Sequence, residues 1–207
     1  DAGSGWGWCW RDGYLQRGGH AIVLVDFVRA NLHIAHELLS AHINKSIFLV
    51  HGSILNLPFP SESIDAYWSV QTIQHIPDEI AAYREACRML IPGGTMACYG
   101  LNDSPLMRAY YRLRGKPYCR EGKAIDGVYL RRFSDDSRRR LAALFGAPVA
   151  SKFSELLFTP EWRLYSGGND SLLGKLDSYL SSSVPLGMLG ARQRSFHVVK
   201  PLSERPS

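Results

Sequence analysis

The chain has 207 residues, a formal net charge of +5, 45% hydrophobic residues and 21% charged residues. These values are ordinary for a globular protein, and the length suits a single α/β domain with a sizeable core. The four cysteines form no CxxC pair, which argues against a zinc centre or a disulfide framework and indicates a reducing cytoplasm. No apolar run reaches the roughly 20 residues that cross a bilayer, so we expect no transmembrane segment.

The positive charge is concentrated in one segment. Residues 103–140 contain 11 Lys and Arg residues but only 5 Asp and Glu residues, a net charge of +6. Such a segment either faces an anionic substrate, a membrane surface or RNA, or forms an ordinary solvated helical face.

The chain opens on Asp1, followed by glycines at positions 3, 5 and 7. Glycine tolerates a positive φ and lets the backbone pass close to a ligand, so we expect a tight ligand-binding loop followed by a helix over 8–17. The run Ala21–Asp26 is apolar and ends in an acid, which is typical of a strand buried on both faces of a parallel sheet. The elements expected next are a helix over 30–42, strands over 46–50 and 64–70, a loop over 56–60, a helix over 78–90, a turn at 92–94 and a strand over 95–100.

After Gly100 the alternation of strands and helices loosens. Ser134 is a favourable N-cap, with Asp135 and Asp136 in the first turn of a helix that would end at Gly146. The other elements expected here are a helix over 105–114, a loop over 116–129, a strand within 149–158, a helix over 171–180, a strand over 194–200 and a frayed tail over 201–207.

Alternating strands and helices predict a three-layer, Rossmann-like, doubly wound α/β fold. The sheet should be mainly parallel with an antiparallel C-terminal edge strand. We expect one domain over 1–200, with a cofactor half over 1–100, a variable substrate half over 101–192 and a last strand over 193–200.

The glycine spacing argues against a dinucleotide. A dinucleotide-binding loop needs G-x-G-x-x-G so that a pyrophosphate can rest on the helix N-terminus, whereas this chain has the bulky Trp8 at the third glycine position. Asp26, at the end of the next strand, can accept hydrogen bonds from a ribose diol. Otherwise it is an ordinary acidic residue at a strand end.

Five ordered motifs resemble those of class I S-adenosylmethionine-dependent methyltransferases, within the broad group of the ubiquinone and menaquinone C-methyltransferases. They are the glycine loop over 1–7, the acid Asp26, the segment HGSILNLPFP over 51–60, the segment SIDAYWSVQTIQHIPD over 63–78 and RMLIPGG over 88–94. Residues 101–192 match the family only loosely, and FHVVK over 196–200 resembles its last strand.

The resemblance implies S-adenosylmethionine as the cofactor and a small molecule as the methyl acceptor. Gly3 and Gly5 would let the backbone pass under the methionine part, Asp1 would receive the ammonium group, and Asp26 would hold the ribose. Ser53 stands where the family often has an aspartate that binds the adenine amino group. The full set of implied cofactor-binding residues is Asp1, Gly3, Ser4, Gly5, Asp26, Phe27, Ser53, Ile54, Ser69 and Gln71.

A base is needed only if the accepting atom must lose a proton, and His75 is the candidate, because an imidazole exchanges protons readily near neutral pH. The alternative is a structural histidine bonded to backbone. A substrate lid is expected at Arg108, Tyr110, Tyr111 and Arg112, or else these residues pack and solvate an ordinary helix. Trp6 could line the cofactor pocket, while Trp8 and Trp10 should pack the first helix. The histidines do not cluster as metal ligands, so we expect no metal.

Two further functions compete with small-molecule methyl transfer. One is methylation of RNA through the basic segment 103–140, and the other is a degenerate scaffold that binds cofactor weakly. In the family, a central strand precedes the glycine loop. We therefore expect the natural protein to extend upstream of Asp1, and the sheet of this chain to carry an unfilled gap.

Overall fold

The described strands form three sheets, two of which lie side by side with a gap between them, while the third is a small two-stranded hairpin. The computed structural model describes residues 1–11, 21–123, 127–157 and 170–202. The predicted residues 12–17 of the first helix, residues 124–126 of the expected loop, Phe158 and the tail residues 203–207 lie outside this described part.

Helices and strands alternate along the described residues. The strands are β1 (Ile22–Asp26), β2 (Ile47–His51), β3 (Ile64–Val70), β4 (Leu90–Leu101), β5 (Glu121–Lys123), β6 (Tyr129–Arg131), β7 (Ala150–Ser154) and β8 (Gln193–Val199). The helices are α1 (Trp8–Arg11), α2 (Arg29–Leu38), α3 (Glu79–Met89), α4 (Pro105–Leu113), α5 (Asp135–Phe145), α6 (Leu172–Ser182) and α7 (Val184–Gly190), with a 3₁₀ turn at Ile73–His75.

The sheets combine parallel and antiparallel pairs. Strand β1 pairs in parallel with β2, and the second sheet has the order β3-β4-β8-β7. Strand β3 runs parallel to β4, whereas β8 is antiparallel to both β4 and β7. The predicted doubly wound α/β fold is thus confirmed. The last strand is antiparallel as expected, but it is not the edge strand, because β7 pairs on its outer side.

Helix α3 shows why the local sequence folds as it does. Asp78 caps the helix by accepting a hydrogen bond from the Ala81 nitrogen at 2.9 Å. Buried residues at helical spacing then face the sheet and join the main core, where Met96, Cys98 and Phe196 of β4 and β8 are also buried. Those helix residues are Ala82, Tyr83, Ala86 and Met89. Helix α5 follows the same logic, because the Ser134 hydroxyl accepts a bond from the Ser137 nitrogen and Gly146 ends the helix with a φ of 62°.

Two local predictions are wrong. The expected turn at 92–94 lies inside β4, which begins at Leu90 and bulges between its pairings with Ile64 and Ala66. Gly93 allows this because it adopts a φ of +82°, and its nitrogen bonds the Lys200 carbonyl at 2.9 Å. The expected loop over 116–129 contains β5, which pairs with β6 in an antiparallel hairpin. That pairing depends on residues 129–131, which local patterns do not reveal.

The expected gap is present between β1 and β3. A cavity of about 660 Å³ separates these strands and is lined by Ile22 and Val23 on one side and by residues 64–68 on the other. Asp1 and Ala2 lie at the end of the gap that is next to the carboxyl ends of β1 and β3. Ala2 forms a parallel bridge to Val25, and its nitrogen donates to the Trp68 carbonyl at 2.7 Å. The glycine loop is therefore held between the two sheets even where the gap below it is open.

Candidate active site

The glycine loop lies at the carboxyl ends of β1 and β3. The nitrogens of Gly3 and Ser4 donate to the Val25 carbonyl at 2.8 and 3.0 Å. From the opposite side, the Thr72 hydroxyl donates to the Gly3 carbonyl at 2.9 Å. Both strands thus fix the loop in the crevice where open α/β sheets bind their ligands.

The glycines of the loop serve different purposes. Gly3, Gly5 and Gly7 all adopt positive φ values, of 72°, 54° and 72°. A Cβ on Gly3 would overlap the Thr72 side chain, so Gly3 is required by packing against the end of β3. A Cβ on Gly5 would meet no described atom within 4 Å. Gly5 therefore presents an open backbone surface to the cleft.

Asp26 joins the loop to the start of α2. One carboxylate oxygen accepts a bond from the Gly5 nitrogen at 2.8 Å, and the other accepts from the Val28 nitrogen at 2.8 Å and from the Asn31 amide at 3.1 Å. The residue is only 7% exposed. Since a carboxylate offers about four acceptor positions, one position on the oxygen beside Gly5 is left for a ligand.

A cleft of about 340 Å³ runs along the loop. The indoles of Trp6 and Trp8 flank it and are 53% and 58% exposed. Trp6, expected to line the cofactor pocket, lines this cleft. Trp8 was expected to pack α1 against the sheet and instead faces the cleft, because Trp10 takes the packing position beside the buried cluster formed by Leu24, Leu39 and Ile47.

Two polar atoms at the cleft are buried without a described hydrogen-bond partner. They are Oδ1 of Asp1 and the hydroxyl of Ser4. The other oxygen of Asp1 accepts a bond from the Trp10 indole at 2.8 Å, which fixes the orientation of the carboxylate. Because an unpaired buried polar atom costs about 1–3 kcal/mol, these two atoms mark a place for a polar ligand group.

The predicted adenine side lies beyond β2. Phe27 is 73% exposed and its ring stacks near His51, with centroids 6.3 Å apart. The Ser53 hydroxyl accepts a bond from the Leu55 nitrogen at 3.3 Å, so this side chain holds its own loop. Ile54 is buried at 5% exposure within the core.

Ser69 and Gln71 lie at the end of β3 but do not occupy equivalent positions. The Ser69 hydroxyl is fully buried and donates to the Ala2 carbonyl at 2.9 Å, so it supports the loop from beneath. Gln71 adopts a left-handed φ of 56°, and its amide donates to Gln193 at 2.6 Å. This backbone conformation is uncommon for a residue other than glycine and often marks a functional turn.

His75 is the exposed end of a chain of amides. The buried Gln74 amide donates to Gln71 at 2.7 Å and lies 3.1 Å from Nε2 of His75, while Nδ1 of His75 lies 2.8 Å from the Tyr129 carbonyl. These partners assign the proton to Nδ1 and make Nε2 an acceptor from Gln74. Gln74 and Thr72 were missed by the sequence analysis, since neither residue type carries a positional signal.

The predicted lid residues lie on or near α4. Tyr110 is 51% exposed, and Tyr111 makes an edge contact with Tyr118, with ring centroids 5.5 Å apart. The Arg132 guanidinium stacks over Tyr118 at 4.3 Å. The structure therefore adds Tyr118 and Arg132 to the tyrosines of α4. It pairs Arg108 with Asp103 at 3.0 Å and leaves Arg112 exposed.

Much of the basic segment is neutralised within the fold. A cleft of about 250 Å³ beside α5 contains Arg131 and Arg140, which pair with Glu79 at 3.6 and 3.3 Å. Burial raises the pKa of the Glu79 carboxyl, and the two guanidinium groups act against that shift. The Arg131 side chain also holds the pKa of Glu121 below its usual range. These ion pairs leave fewer cations for a polyanion.

The part of the chain that the structure describes contains no group of three or more His, Cys, Asp and Glu residues placed to hold a metal ion. Nor does any helix within that part have the length and apolar character needed to cross a bilayer.

Comparison with known proteins finds similarity to methyltransferases. Residues 1–98 match a family model described as a methyltransferase domain. The demethylmenaquinone methyltransferase of Staphylococcus haemolyticus (strain JCSC1435) is 28% identical over 153 residues, covering 69% of this chain and 63% of that protein. The protein of the same name from Listeria monocytogenes serotype 4a (strain HCC23) is 34% identical over 100 residues, covering 45% and 42%. The chain thus spans less than two thirds of the length of these relatives.

Two solved structures share the fold over nearly the whole chain. Geranyl diphosphate C-methyltransferase from Streptomyces coelicolor A3(2), solved with Mg²⁺, geranyl diphosphate and S-adenosyl-L-homocysteine, has a TM-score of 0.64 at 15% identity, covering 97% of this chain and 69% of that one. The YcgJ protein from Bacillus subtilis has a TM-score of 0.64 at 14% identity, covering 97% and 90%. Residues 1–98 are therefore similar to the methyltransferase domain family, and the chain as a whole shares the fold of these two solved structures.

Proposed function

We propose that this chain binds S-adenosylmethionine along the glycine loop and transfers its methyl group to a small-molecule acceptor. The observation that carries the proposal is the clamped loop itself. Its open face at Gly5 lies above the Asp26 carboxylate, at the carboxyl ends of two parallel strands. Residues 1–100 would form the cofactor half of one domain over 1–200, and residues 101–192 the acceptor half.

The residues of the cleft fit this cofactor. The free oxygen of Asp1 and the Ser4 hydroxyl offer buried acceptors to the ammonium group of the methionine part. Asp26 retains one acceptor position for a ribose hydroxyl. On the adenine side, Ser53 has a side chain that is already engaged, so we assign purine contact to the backbone at Ser53 and Ile54 and to the exposed ring of Phe27.

When bound, the cofactor supplies a methyl group on a sulfonium, which is activated for direct SN2 displacement. The protein must hold an acceptor in line with that methyl and exclude water, and alignment of this kind supplies roughly 7–11 kcal/mol of the barrier. Gln71, with its left-handed backbone, directly follows Val70, which lines the cleft. His75 would take a proton at Nε2, after the Gln74 amide releases that nitrogen.

The acceptor side is proposed from the names of relatives and from the residues of α4. Two relatives are named demethylmenaquinone methyltransferase, which supports an aromatic acceptor of quinol type. Tyr110, Tyr111, Arg108 and Arg112 would form its wall, since aromatic rings and guanidinium groups suit such a ligand. The described cysteines are all free, in keeping with a reducing cytoplasm as the proposed compartment.

Calorimetric titration with S-adenosylmethionine tests the cofactor half. We expect saturable 1:1 binding that is lost in the Asp26→Ala variant. Absence of binding at millimolar cofactor by a chain with a cooperative unfolding transition would contradict the proposal and favour a degenerate scaffold.

Methyl transfer from labelled cofactor to a panel of quinols and phenols tests the acceptor half. If His75 is the base, His75→Ala should lower kcat by about 10²- to 10⁴-fold while cofactor affinity stays unchanged. Equal kcat in both proteins would return His75 to its structural role of joining the 3₁₀ turn to β6. Methylation of RNA but of no small molecule would overturn the proposed acceptor class.

A further inference from the structure

Three neighbouring helices expose an unusual amount of apolar surface. Helices α4, α6 and α7 have only 9, 11 and 7 residues. They nevertheless carry 11 of the 23 large apolar side chains that are exposed among the described residues. The most informative of these are Leu106, Leu113, Leu172, Tyr179, Val184 and Leu189. Exposed apolar groups at this density mark an interaction surface.

The three helices form one layer. The Ser104 hydroxyl at the start of α4 donates to the Leu189 carbonyl of α7 at 2.8 Å. Helix α7 follows α6 directly through Ser183 and packs against β7, where a Cβ on Gly187 would overlap the Phe153 ring. The buried Asp177 ties α6 to the segment that follows β7 by accepting a bond from the Leu157 nitrogen at 2.6 Å. We call the outer side of α4, α6 and α7 the helical face.

The apolar residues follow helical spacing on the helical face. On α4, Leu106, Tyr110 and Leu113 are separated by four and three residues, which places them on one side of the helix. No residue of α4 is buried, so this stripe does not belong to the core. On α6, Leu172 and Tyr179 are 84% and 76% exposed and lie seven residues apart. Both helices are amphipathic, with their apolar sides turned to the outside of the molecule.

The charges on the helical face have one sign. Asp177 is the only acidic residue in the three helices, and it is fully buried. At the carboxyl end of α4, Arg112, Arg114 and Lys116 have no carboxylate partner among the described residues, in contrast to the paired arginines near Glu79. The Arg114 guanidinium lies over the Tyr110 ring at 5.9 Å, so it remains beside the apolar stripe. Exposed leucines edged by cations without a carboxylate partner are typical of helices that lie in the interface of an anionic membrane.

We propose that the helical face docks on the surface of an anionic lipid bilayer, with its leucines inserted among the acyl chains and Arg112, Arg114 and Lys116 at the lipid phosphates. Nucleic acid is disfavoured, because its phosphates would engage the cations but leave the leucines in water. A second copy is disfavoured, because a twofold contact through this face would bring like charges together. Membrane docking requires neither cofactor nor acceptor, so it can be tested apart from methyl transfer, although Tyr110 and Arg112 are also assigned to the proposed acceptor wall.

Co-sedimentation of the full chain with lipid vesicles tests the proposal. The vesicles would contain either equal parts of phosphatidylglycerol and phosphatidylcholine or phosphatidylcholine alone. We expect binding to the anionic vesicles that is at least about tenfold tighter and that weakens in 0.5 M NaCl, since salt screens exposed charges. Equal binding to both vesicles, or binding to neither, would overturn the proposal.

Matched variants localise the surface. Leu113→Ser should weaken binding about tenfold, whereas Leu202→Ser, at a site that is 76% exposed but outside the helical face, should leave it unchanged. Arg114→Gln with Lys116→Gln should weaken binding similarly, with Arg84→Gln and Lys45→Gln as the control pair. Circular dichroism would confirm that each variant is folded. Equal losses in test and control variants would contradict the assignment.

If a second copy of the chain or a nucleic acid binds the helical face instead of a membrane, the experiments give different results. A concentration-dependent dimer that Leu113→Ser abolishes, with no vesicle binding, would assign the face to a second copy and overturn the proposal. Binding of an RNA oligonucleotide that depends on Arg114 and Lys116 but not on Leu113, again without vesicle binding, would assign it to nucleic acid and also overturn the proposal.

Discussion

The carboxylate of Asp26 accepts a hydrogen bond of 2.8 Å from the backbone nitrogen of Gly5, 21 residues earlier in the chain. The same carboxylate accepts from the Val28 nitrogen and the Asn31 amide at the start of α2. One nearly buried side chain therefore fixes the glycine loop, the beginning of α2 and the one acceptor position that remains for a ligand. The proposed cofactor binding would therefore be coupled to stability through this residue.

Asp26→Ala should lower both the free energy of unfolding and the affinity for S-adenosylmethionine. The substitution leaves two backbone donors without their acceptor, which we expect to cost about 2–3 kcal/mol. Urea unfolding and calorimetric titration would measure the two effects. Asn31→Ala is the matched control, because it removes one of the three donors and leaves the Gly5 bond in place. It should cost about 1 kcal/mol or less and leave cofactor affinity unchanged. A variant at position 26 with normal affinity would refute the assigned role.

Substitutions at two glycines of the loop should affect stability and cofactor affinity differently. Gly3→Ala should destabilise the fold strongly, because a positive φ costs about 1–2 kcal/mol and the new methyl overlaps Thr72. Gly5→Ala carries the same backbone cost without an overlap, but its methyl projects into the open cleft. It should weaken cofactor binding about tenfold with a modest loss of stability.

Gly115→Ala provides the control for that comparison. Gly115 has a φ of +61° and open space around its Cβ position, yet it lies after α4 and away from the glycine loop. Thermal unfolding should show a loss similar to that of Gly5→Ala, and cofactor affinity should not change. If both variants bound cofactor equally well, Gly5 would not face the ligand.

Local sequence signals predicted the elements whose causes are themselves local. The strand expected over 64–70 has the bounds of β3, and Ser134 and Gly146 marked both ends of α5. The signals failed where pairing between distant residues decides the structure. The antiparallel contacts of β8 with both β4 and β7 moved it from the edge to the interior, and pairing with β6 created β5 inside an expected loop.

The same distinction applies to the site. Glycine spacing and the acid at a strand end pointed to the loop and to Asp26, because close backbone approach and the proposed ribose binding need those residue types. Thr72 and Gln74 could not be found in this way, since a hydroxyl or an amide serves many purposes and gains its role only from the chain that packs beside it. The only sequence signal for Thr72 and Gln74 was their position in the segment that directly follows β3.

The protein should lose stability in mildly acidic solution through His197. Burial, with a smaller contribution from Lys152, lowers the pKa of this imidazole, whose Nε2 lies 2.9 Å from the Ser195 hydroxyl. Since the folded-state pKa is below the unfolded value of about 6.5, the unfolded chain binds the proton more readily. The stabilising contribution is therefore present above pH 6.5 and is lost as the pH falls through the folded-state pKa. Urea unfolding at several pH values between 5 and 8 would give the free energy of unfolding as a function of pH. This free energy should change less with pH in His197→Gln than in the unaltered protein, and equal pH dependence in the two proteins would contradict the effect.

The gap between β1 and β3 predicts that an added strand will stabilise the fold. The cavity of about 660 Å³ is lined by apolar residues of both strands, and above it Asp1 and Ala2 already bond Val23, Val25 and Trp68 as a strand would. A six-residue, valine-rich extension placed before Asp1 can continue this pairing into the gap and bury its side chains there. We expect the melting temperature to rise by about 5 °C or more. An extension of equal length with proline at alternate positions cannot donate to both strands, so it should give little or no rise. Equal effects of the two extensions would show that the gap does not accept a paired strand.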